Sequence, residues 1–290
     1  MSSDLVRISS GALRVEVNAI GAETHSIRDA SGRDWLWHGD ADWWGGRAPI
    51  LFPVVGTAVD GHVAYGGDVR PMTKHGFARQ AAFTLTDHID THCTHTLLPD
   101  PDRREAFPFE FALHITHAVQ GKVLRVSAQV ENRDTRAMPF GFGFHPAFVW
   151  PLPGAEDQPH QIRLANGGAP ELARIDGDGR LLPERLPSPF DDGVLTLSHD
   201  MFDADAMIFP DGAGDALTYG PADGPHLRFT FENLPNLAIW QKPGAPYLCI
   251  EPWHGLNAPL GAGPDMTERP ATIVLAAGAV AEFAFAVTFP

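Results

Sequence analysis

The segment Phe109-Glu110-Phe111-Ala112-Leu113-His114-Ile115 places its bulky apolar residues at every second position. Side chains of an extended chain point alternately to opposite faces, so Phe109, Phe111, Leu113 and Ile115 share one side. A helix would repeat its apolar positions at intervals of three and four instead. The same two-residue rule governs residues 13–17, 83–86, 123–130, 226–231 and 282–289. Turn residues punctuate these runs: Ser31-Gly32, Asp60-Gly61, Gly66-Gly67, Gln120-Gly121, Asp176-Gly177-Asp178-Gly179 and Asp211-Gly212. No helical stripe of three turns runs free of Gly or Pro, and only short helical turns are expected, near Trp43 or residues 187–190. The pattern predicts an all-β chain built as a large antiparallel β-sandwich. Residues 151–192, rich in Pro, Gly and Asp, read as a long loop or excursion. Strand patterns resume on both sides of it and no repeat period is visible, so residues 1–290 read as a single domain.

Composition agrees and narrows the function. The chain has 290 residues, enough to bury about three quarters of its unfolded surface. It carries 29 Gly and 26 Pro, where average usage of roughly 12% predicts about 35 together. That excess of turn formers argues against a helical bundle or a coiled coil. Lys and Arg number 21 against 36 Asp and Glu, a net charge of −15 with histidines neutral. Such a surface repels phosphate backbones and anionic lipid, so neither nucleic acid nor a membrane is an expected partner. Cys93 and Cys249 are too few for a disulfide framework or a four-thiolate metal site. The beginning, Met1-Ser2-Ser3-Asp4-Leu5-Val6-Arg7, lacks the basic stretch and apolar run of a signal peptide. No window approaches the roughly 18 apolar residues of a membrane span. A cytoplasmic location with reduced thiols is expected. No GxxxxGK[ST] loop occurs, and Gly141-Phe142-Gly143 lacks the third glycine and helix start of a dinucleotide site. No cofactor is expected.

Candidate chemistry concentrates in five short segments. In Pro139-Phe140-Gly141-Phe142-Gly143-Phe144-His145-Pro146-Ala147-Phe148, an extended chain puts Phe140, Phe142 and Phe144 on one face. Gly141, Gly143 and His145 take the other, which reads as room for a ligand beside an imidazole. Pro146 donates no backbone bond and ends the ladder just after the histidine. A core strand with a satisfied histidine fits the same residues. In Tyr247-Leu248-Cys249-Ile250-Glu251-Pro252-Trp253-His254-Gly255, Glu251 follows an apolar strand. Burial would raise its pKa towards the range of a general base near neutrality. An edge-strand glutamate with its head in water is the competing reading. Trp253 would share the face of Glu251 and present a ring to a sugar.

The remaining segments supply binding groups. Trp43-Trp44-Gly45-Gly46-Arg47-Ala48-Pro49-Ile50-Leu51-Phe52-Pro53-Val54-Val55-Gly56 sets Arg47, with its rigid fork of donors, beside an aromatic pair and an apolar stretch. A surface arginine on a loop is the plainer alternative. Met72-Thr73-Lys74-His75-Gly76-Phe77-Ala78-Arg79 holds His75 in a turn-like setting. Phe202-Asp203-Ala204-Asp205-Ala206-Met207-Ile208-Phe209 places two acids before an apolar strand, with Asp205 the better ligand candidate and Asp203 explained by a turn. Among 14 histidines, His92 and His95, and likewise His114 and His117, lie three apart and so point to opposite faces of a strand. No HExxH or His-x-His occurs, and no metal is expected.

Together these segments resemble the aldose 1-epimerase (galactose mutarotase-like) superfamily, most of all its LacX-like bacterial branch. The matching residues are Arg47-Ala48-Pro49-Ile50-Leu51-Phe52-Pro53, His75-Gly76-Phe77-Ala78-Arg79, Gly143-Phe144-His145-Pro146-Ala147-Phe148, Phe202-Asp203-Ala204-Asp205-Ala206 and Cys249-Ile250-Glu251-Pro252-Trp253. They stand in the family's order. One departure is Glu268-Arg269-Pro270-Ala271, where the branch often has a lysine-glycine pair. The resemblance implies a β-supersandwich with a sugar in a groove on one sheet. It implies Glu251 as general base, His145 as general acid and His75 as a second active-site histidine touching the sugar. Arg47 and Asp205 would orient the substrate.

The implied reaction is interconversion of α and β anomers of a hexose by ring opening and reclosure, with no cofactor. The expected partner is a small-molecule sugar, an aldohexose or its phosphate. Three rivals stay open. A non-catalytic carbohydrate-binding protein would keep the aromatic groove without needing both Glu251 and His145. A glycoside hydrolase needs two flanking carboxylates, for which Glu251 and Asp205 are available. A hexose-phosphate mutarotase needs extra cations, and Arg47, Lys74 and Arg79 are the candidates.

Overall fold

The alternating run around Leu113 forms the strand Phe111–Gln120, which turns at Gly121 into the strand Val123–Asn132. Gly121 takes a left-handed φ of 55° in this tight hairpin, a conformation that favours glycine. The computed structural model describes residues 5–290. The first four residues of the beginning read above lie outside them. The hairpin belongs to a nine-stranded sheet. Val280–Thr288, Leu227–Glu232, Ala216–Pro221, His160–Leu164 and Val194–Thr196 continue it on one side. His92–Leu97 and Thr84–Ile89 complete it on the other. Every strand pair in it is antiparallel.

A second sheet carries the candidate residues. Its order runs Leu181–Leu186, Leu172–Ile175, Met207–Phe209, Asn236–Trp240, Tyr247–His254, Phe142–Phe144 and Ile50–Leu51, and Ala147–Val149 also pairs with Tyr247–His254. Three N-terminal strands, Leu5–Ser9, Leu13–Asn18 and Glu23–Asp29, make a separate antiparallel sheet.

An aromatic seam joins the two large sheets. Phe142 stacks on Phe283 at 4.7 Å, Phe144 meets Phe285 edge-on at 4.9 Å, and Phe148 meets Phe229 at 5.1 Å. Edge-on and offset contacts of this kind contribute about 0.5–1.5 kcal/mol each beyond the area they bury. The apolar wall read from Phe140, Phe142 and Phe144 is therefore the interior of the sandwich, and all three are buried. One cluster of buried apolar residues runs from Ile8 to Phe289.

The structure corrects two local expectations. Residues 151–192 contain three strands, His160–Leu164, Leu172–Ile175 and Leu181–Leu186, instead of one loop. Each is too short, and too closely flanked by Gly and Pro, to show its period in sequence. A helical turn does sit near Trp43, where the Trp43 and Trp44 amides donate to the Asp40 carbonyl at 3.1 and 2.8 Å, but residues 187–190 form none, and the α-helix Pro101–Ala106 lies where none is expected. Asp100 accepts from the Arg103 amide at 2.8 Å and Pro101 opens the first turn, a standard helix start. No helix among the described residues is long and apolar enough to cross a membrane.

Histidines His95 and His117 are wholly enclosed, on the face of the nine-stranded sheet that looks inward. His117 Nε2 pairs with Thr24 Oγ1 at 3.0 Å, while His117 Nδ1 and both ring nitrogens of His95 have no partner. Burial, with repulsion from His95, pushes His117 down to about 3, against an ordinary value of 6.5. The unfolded chain thus binds more protons than the folded one below pH 6.5. The stability that the neutral ring contributes is complete above that pH and falls as the pH drops towards 3. His117 costs about 1.4 kcal/mol per pH unit in that window. Urea unfolding followed from pH 7 to pH 4 should show a falling midpoint. His117→Gln, which keeps a partner for Thr24 but does not titrate, should flatten the slope; an unchanged slope would contradict the assignment.

Candidate active site

The strand Tyr247–His254 has two faces with different tasks. Leu248 and Ile250 enter the sandwich core, whereas Tyr247, Cys249, Glu251 and Trp253 look away from it. Glu251 lies opposite Ala238, so no side chain bulk crowds it from the neighbouring strand. It is only 2% exposed. On the other side, Gly143 pairs with Trp253, and His145 follows two residues later on the same face. The His145 amide donates to the Pro49 carbonyl at 3.1 Å, and the Pro146 carbonyl accepts from Ile250 at 3.1 Å. These bonds pin the break between the short strands and set His145 Nε2 3.2 Å from Glu251 Oε2.

The bare face expected at Gly141 and Gly143 has a different occupant. A Cβ on Gly143 would stand 2.5 Å from Trp253 Cδ1, and one on Gly141 would meet the Val55 amide at 3.4 Å. Gly143 therefore seats the Trp253 indole instead of leaving room for a ligand. The cavity itself, of about 170 Å³, lies over Glu251 and is walled by Trp44, Trp240 and Trp253. Trp44 stacks on His145 with ring centroids 5.0 Å apart, and Trp240 meets the same imidazole edge-on at 5.9 Å. The Trp43-Trp44 pair is visible in sequence, but not which of the two faces the cavity. Nothing in sequence marks Trp240.

Two binding candidates are held by strained backbone. His75 has φ 65° and Asp205 φ 64°, both in the left-handed region. Non-glycine residues there cost of order 1–3 kcal/mol each and persist only where their surroundings hold them. For His75 the hold is mutual bonding with Gly56: its amide donates to the Gly56 carbonyl at 2.8 Å, and its Nδ1 accepts from the Gly56 amide at 3.0 Å. For Asp205 it is Arg174, whose guanidinium donates to the Asp205 carbonyl at 2.7 Å and to that of Met201 at 3.0 Å. Both His75 and Asp205 line the cavity.

Arg47 is placed elsewhere. Its Nη1 donates to the His25 carbonyl at 2.6 Å, and the amides of Arg47 and Ala48 donate to Glu23 Oε1 at 2.9 and 2.8 Å. The side chain anchors the Trp44–Pro49 loop to the N-terminal sheet and does not line the cavity. The cations that do are Lys74 and Arg79. Neither forms an ion pair among the described residues, and Arg79 Nε is buried without a partner. Their positions either side of His75 were legible, but their common direction depends on the fold of that loop.

Enclosure decides the protonation of the pair. Burial pushes the Glu251 carboxyl well above its ordinary range; Lys74 opposes this and Asp205 adds to it. Burial, with Lys74 and Arg79, pushes His145 down to about 3. Both directions favour a pair with one proton and no net charge, and they place that proton on Glu251. The sequence expectation had put it on His145. The difference arises because a cavity that excludes water penalises the imidazolium as much as the carboxylate. Moving the proton along the 3.2 Å contact converts one form into the other.

Donor atoms of His145, Cys249 and Glu251 lie within 4.8 Å of one another, the one such group among the described residues that could take a metal ion. An imidazole, a thiolate and a carboxylate suit zinc. Here burial pushes the thiol well above its ordinary range, so it would have to give up a tightly held proton first. The other spaced histidines behave as the strand period requires: His92 faces out to Asp87 at 2.7 Å, while His95 is buried.

Comparison with known proteins places this geometry. Residues 4–176 match the sequence pattern of a family described as Aldose 1-epimerase. The chain belongs to the aldose 1-epimerase family. It is 28% identical over 276 residues to the plasmid-encoded protein LacX of Lactococcus lactis subsp. lactis, covering 91% of this chain and 92% of that protein. It is also similar to a galactose mutarotase related enzyme from Lactobacillus acidophilus, at 26% identity and a TM-score of 0.93, covering 99% of this chain and 97% of the other. A galactose mutarotase-like protein from Lactobacillus casei ATCC 334 is 27% identical with a TM-score of 0.89, over 99% of this chain and all 100% of that one. These likenesses support the LacX-like branch. They reach across Asp205 and Glu251, which lie beyond the family match.

The seat of Trp253 gives a direct test of this packing. Gly143→Ala should displace the indole and lower stability by about 1–3 kcal/mol. Urea unfolding and tryptophan fluorescence would report it; a variant as stable as the parent, with unchanged emission, would contradict the contact.

Proposed function

We propose that the protein is a cofactor-independent aldose 1-epimerase acting on a hexose. The observation that carries this reading is the buried pair of Glu251 and His145, 3.2 Å apart beside a tryptophan-walled cavity. In the working form the carboxylate of Glu251 takes the proton of the C1 hydroxyl. The O1–C1 bond becomes a carbonyl, the C1–O5 bond breaks, and the His145 imidazolium gives its proton to O5. Rotation about C1–C2 presents the other face of the aldehyde. The reverse transfers then close the ring as the other anomer and restore both groups. Atoms and charge balance without an external reactant. Asp205 and His75 supply polar contacts from the cavity wall, and Trp44, Trp240 and Trp253 exclude water and face the C–H surface of the ring. Arg47 enters as the anchor of the Trp44 loop. We place the enzyme in the cytoplasm, where Cys93 and Cys249, both buried and unpaired, stay reduced.

Polarimetry on freshly dissolved α-glucose and α-galactose tests the proposal. The protein should accelerate anomer exchange over buffer. Glu251→Gln and His145→Asn should each lower the rate by on the order of 10²–10⁴-fold while urea unfolding still shows a folded chain. No acceleration by the parent protein would favour a sugar-binding role, and full activity in either variant would end the assignment. Release of reducing sugar from an oligosaccharide would favour a hydrolase.

A second reading of the substrate has its own observation. Lys74 and Arg79 face the cavity without a carboxylate partner, in a protein of net charge −15. A phosphorylated hexose would satisfy both. In that case Lys74→Ala should raise KM for a hexose phosphate by on the order of tenfold, the worth of one charged hydrogen bond, with much less effect on the free sugar. Equal shifts for both sugars would rule out phosphate recognition there.

A further inference from the structure

Arg269 is a buried cation, 9% exposed, that forms no ion pair among the described residues. Its donors go to backbone oxygens: Nε to the Leu256 carbonyl at 2.8 Å, and Nη2 to the Val55 carbonyl. The Val55 carbonyl belongs to the same peptide unit as the Gly56 amide. That amide donates to His75 Nδ1 at 3.0 Å. A trans peptide is planar, and its C=O and N–H point in opposite directions. A guanidinium holding the oxygen end therefore aims the N–H end at His75. It also polarises the unit, since a charge-assisted bond on the oxygen strengthens the donor at the nitrogen. Gly56 has little freedom to turn: a Cβ there would meet the Asn257 side chain at 2.3 Å, and Asn257 is itself tied to the Gly179 carbonyl at 2.9 Å.

The bond fixes the chemistry of His75. Nδ1 accepts, so it carries no proton, and a neutral ring must then carry its proton on Nε2. We infer that Arg269 is a positioning residue which, through the Val55–Gly56 peptide, locks His75 as the neutral Nε2–H tautomer, a standing hydrogen-bond donor to a sugar oxygen in the cavity. His75 then takes no part as a base, because protonating Nδ1 would break the Gly56 bond. The groups facing it oppose a second proton as well: His145, with ring centroids 5.6 Å apart, and the cations Lys74, Arg79 and Arg269. A standing donor is useful where O1 becomes an aldehyde oxygen as the ring opens. This role rests on the proposed anomerase reading; the tautomer itself does not.

The closing experiment separates the two. Ring-nitrogen NMR of the full-length protein, with His75 assigned by comparison with His75→Gln, should show a single Nε2–H tautomer from pH 5 to 8. A protonated Nδ1 in the parent protein would overturn the inference, whatever the activity. A parent protein that shows the tautomer but fails to anomerise sugars would instead sink the functional reading alone. His75→Gln, whose amide can accept from Gly56 and donate to the cavity, should keep far more activity than His75→Ala; equal losses would overturn the donor role. Arg269→Met should mix the His75 tautomers and lower kcat by about 10²-fold, the cost of misplacing an active-site group. Arg269→Lys should restore most of both. If Arg269→Met folds with the His75 tautomer and kcat unchanged, Arg269 is not the positioning residue. If it does not fold, the lysine variant and the parent spectrum decide.

Discussion

A carboxyl group and an imidazole sit 3.2 Å apart where water scarcely reaches, and the rest of the site follows from keeping them so. In water each would hold its own charge and act independently. Enclosed, they oppose charge in either partner and act as one unit with one proton. That unit suits a reversible reaction in which a proton leaves one sugar oxygen and another arrives at a second. Its enclosure comes from stacking and edge-on contacts with Trp44 and Trp240, from the place of Glu251 on the cavity face of its strand opposite Ala238, and from the short strands pinned at Pro49 and Pro146.

Backbone carries much of the support. His75 and Asp205 are held in left-handed conformations, and each is kept there by bonds to main-chain atoms. The arginines serving this purpose, Arg174 and Arg269, spend their donors on carbonyl oxygens instead of on carboxylates. Arg47 does the same with the His25 carbonyl. Guanidinium groups used this way fix loops without adding anions near Glu251, where another negative charge would raise its pKa further. Local charge in the cavity thus departs from that of the whole chain, with Lys74 and Arg79 facing inward under a net charge of −15.

The two sides of one sheet divide the labour. One face of the strand Tyr247–His254 adds Leu248 and Ile250 to the sandwich core, and the other adds Glu251 and Trp253 to the cavity. The same division runs through the neighbouring strand, where Phe142 and Phe144 go inward and Gly143 outward. A rigid aromatic seam beneath the site keeps the chemical face in register, since displacing one strand would break ring contacts on the other side.

Period-two patterning determined the fold class, the inward set of phenylalanines, and the shared face of Glu251 and Trp253, because alternation is a local property of an extended chain. The same rule correctly divided His92 from His95. Short strands within residues 151–192 and the helix Pro101–Ala106 escaped it, because three to six residues hold too little periodicity and their stability comes from neighbours. Only the tertiary structure decided that Gly143 seats an indole, that Arg47 turns away while Lys74 and Arg79 turn in, and that the shared proton favours Glu251. Those outcomes depend on what packs against each group from distant parts of the chain, and on how completely that packing removes water. Neither is encoded in the spacing of residues along the sequence.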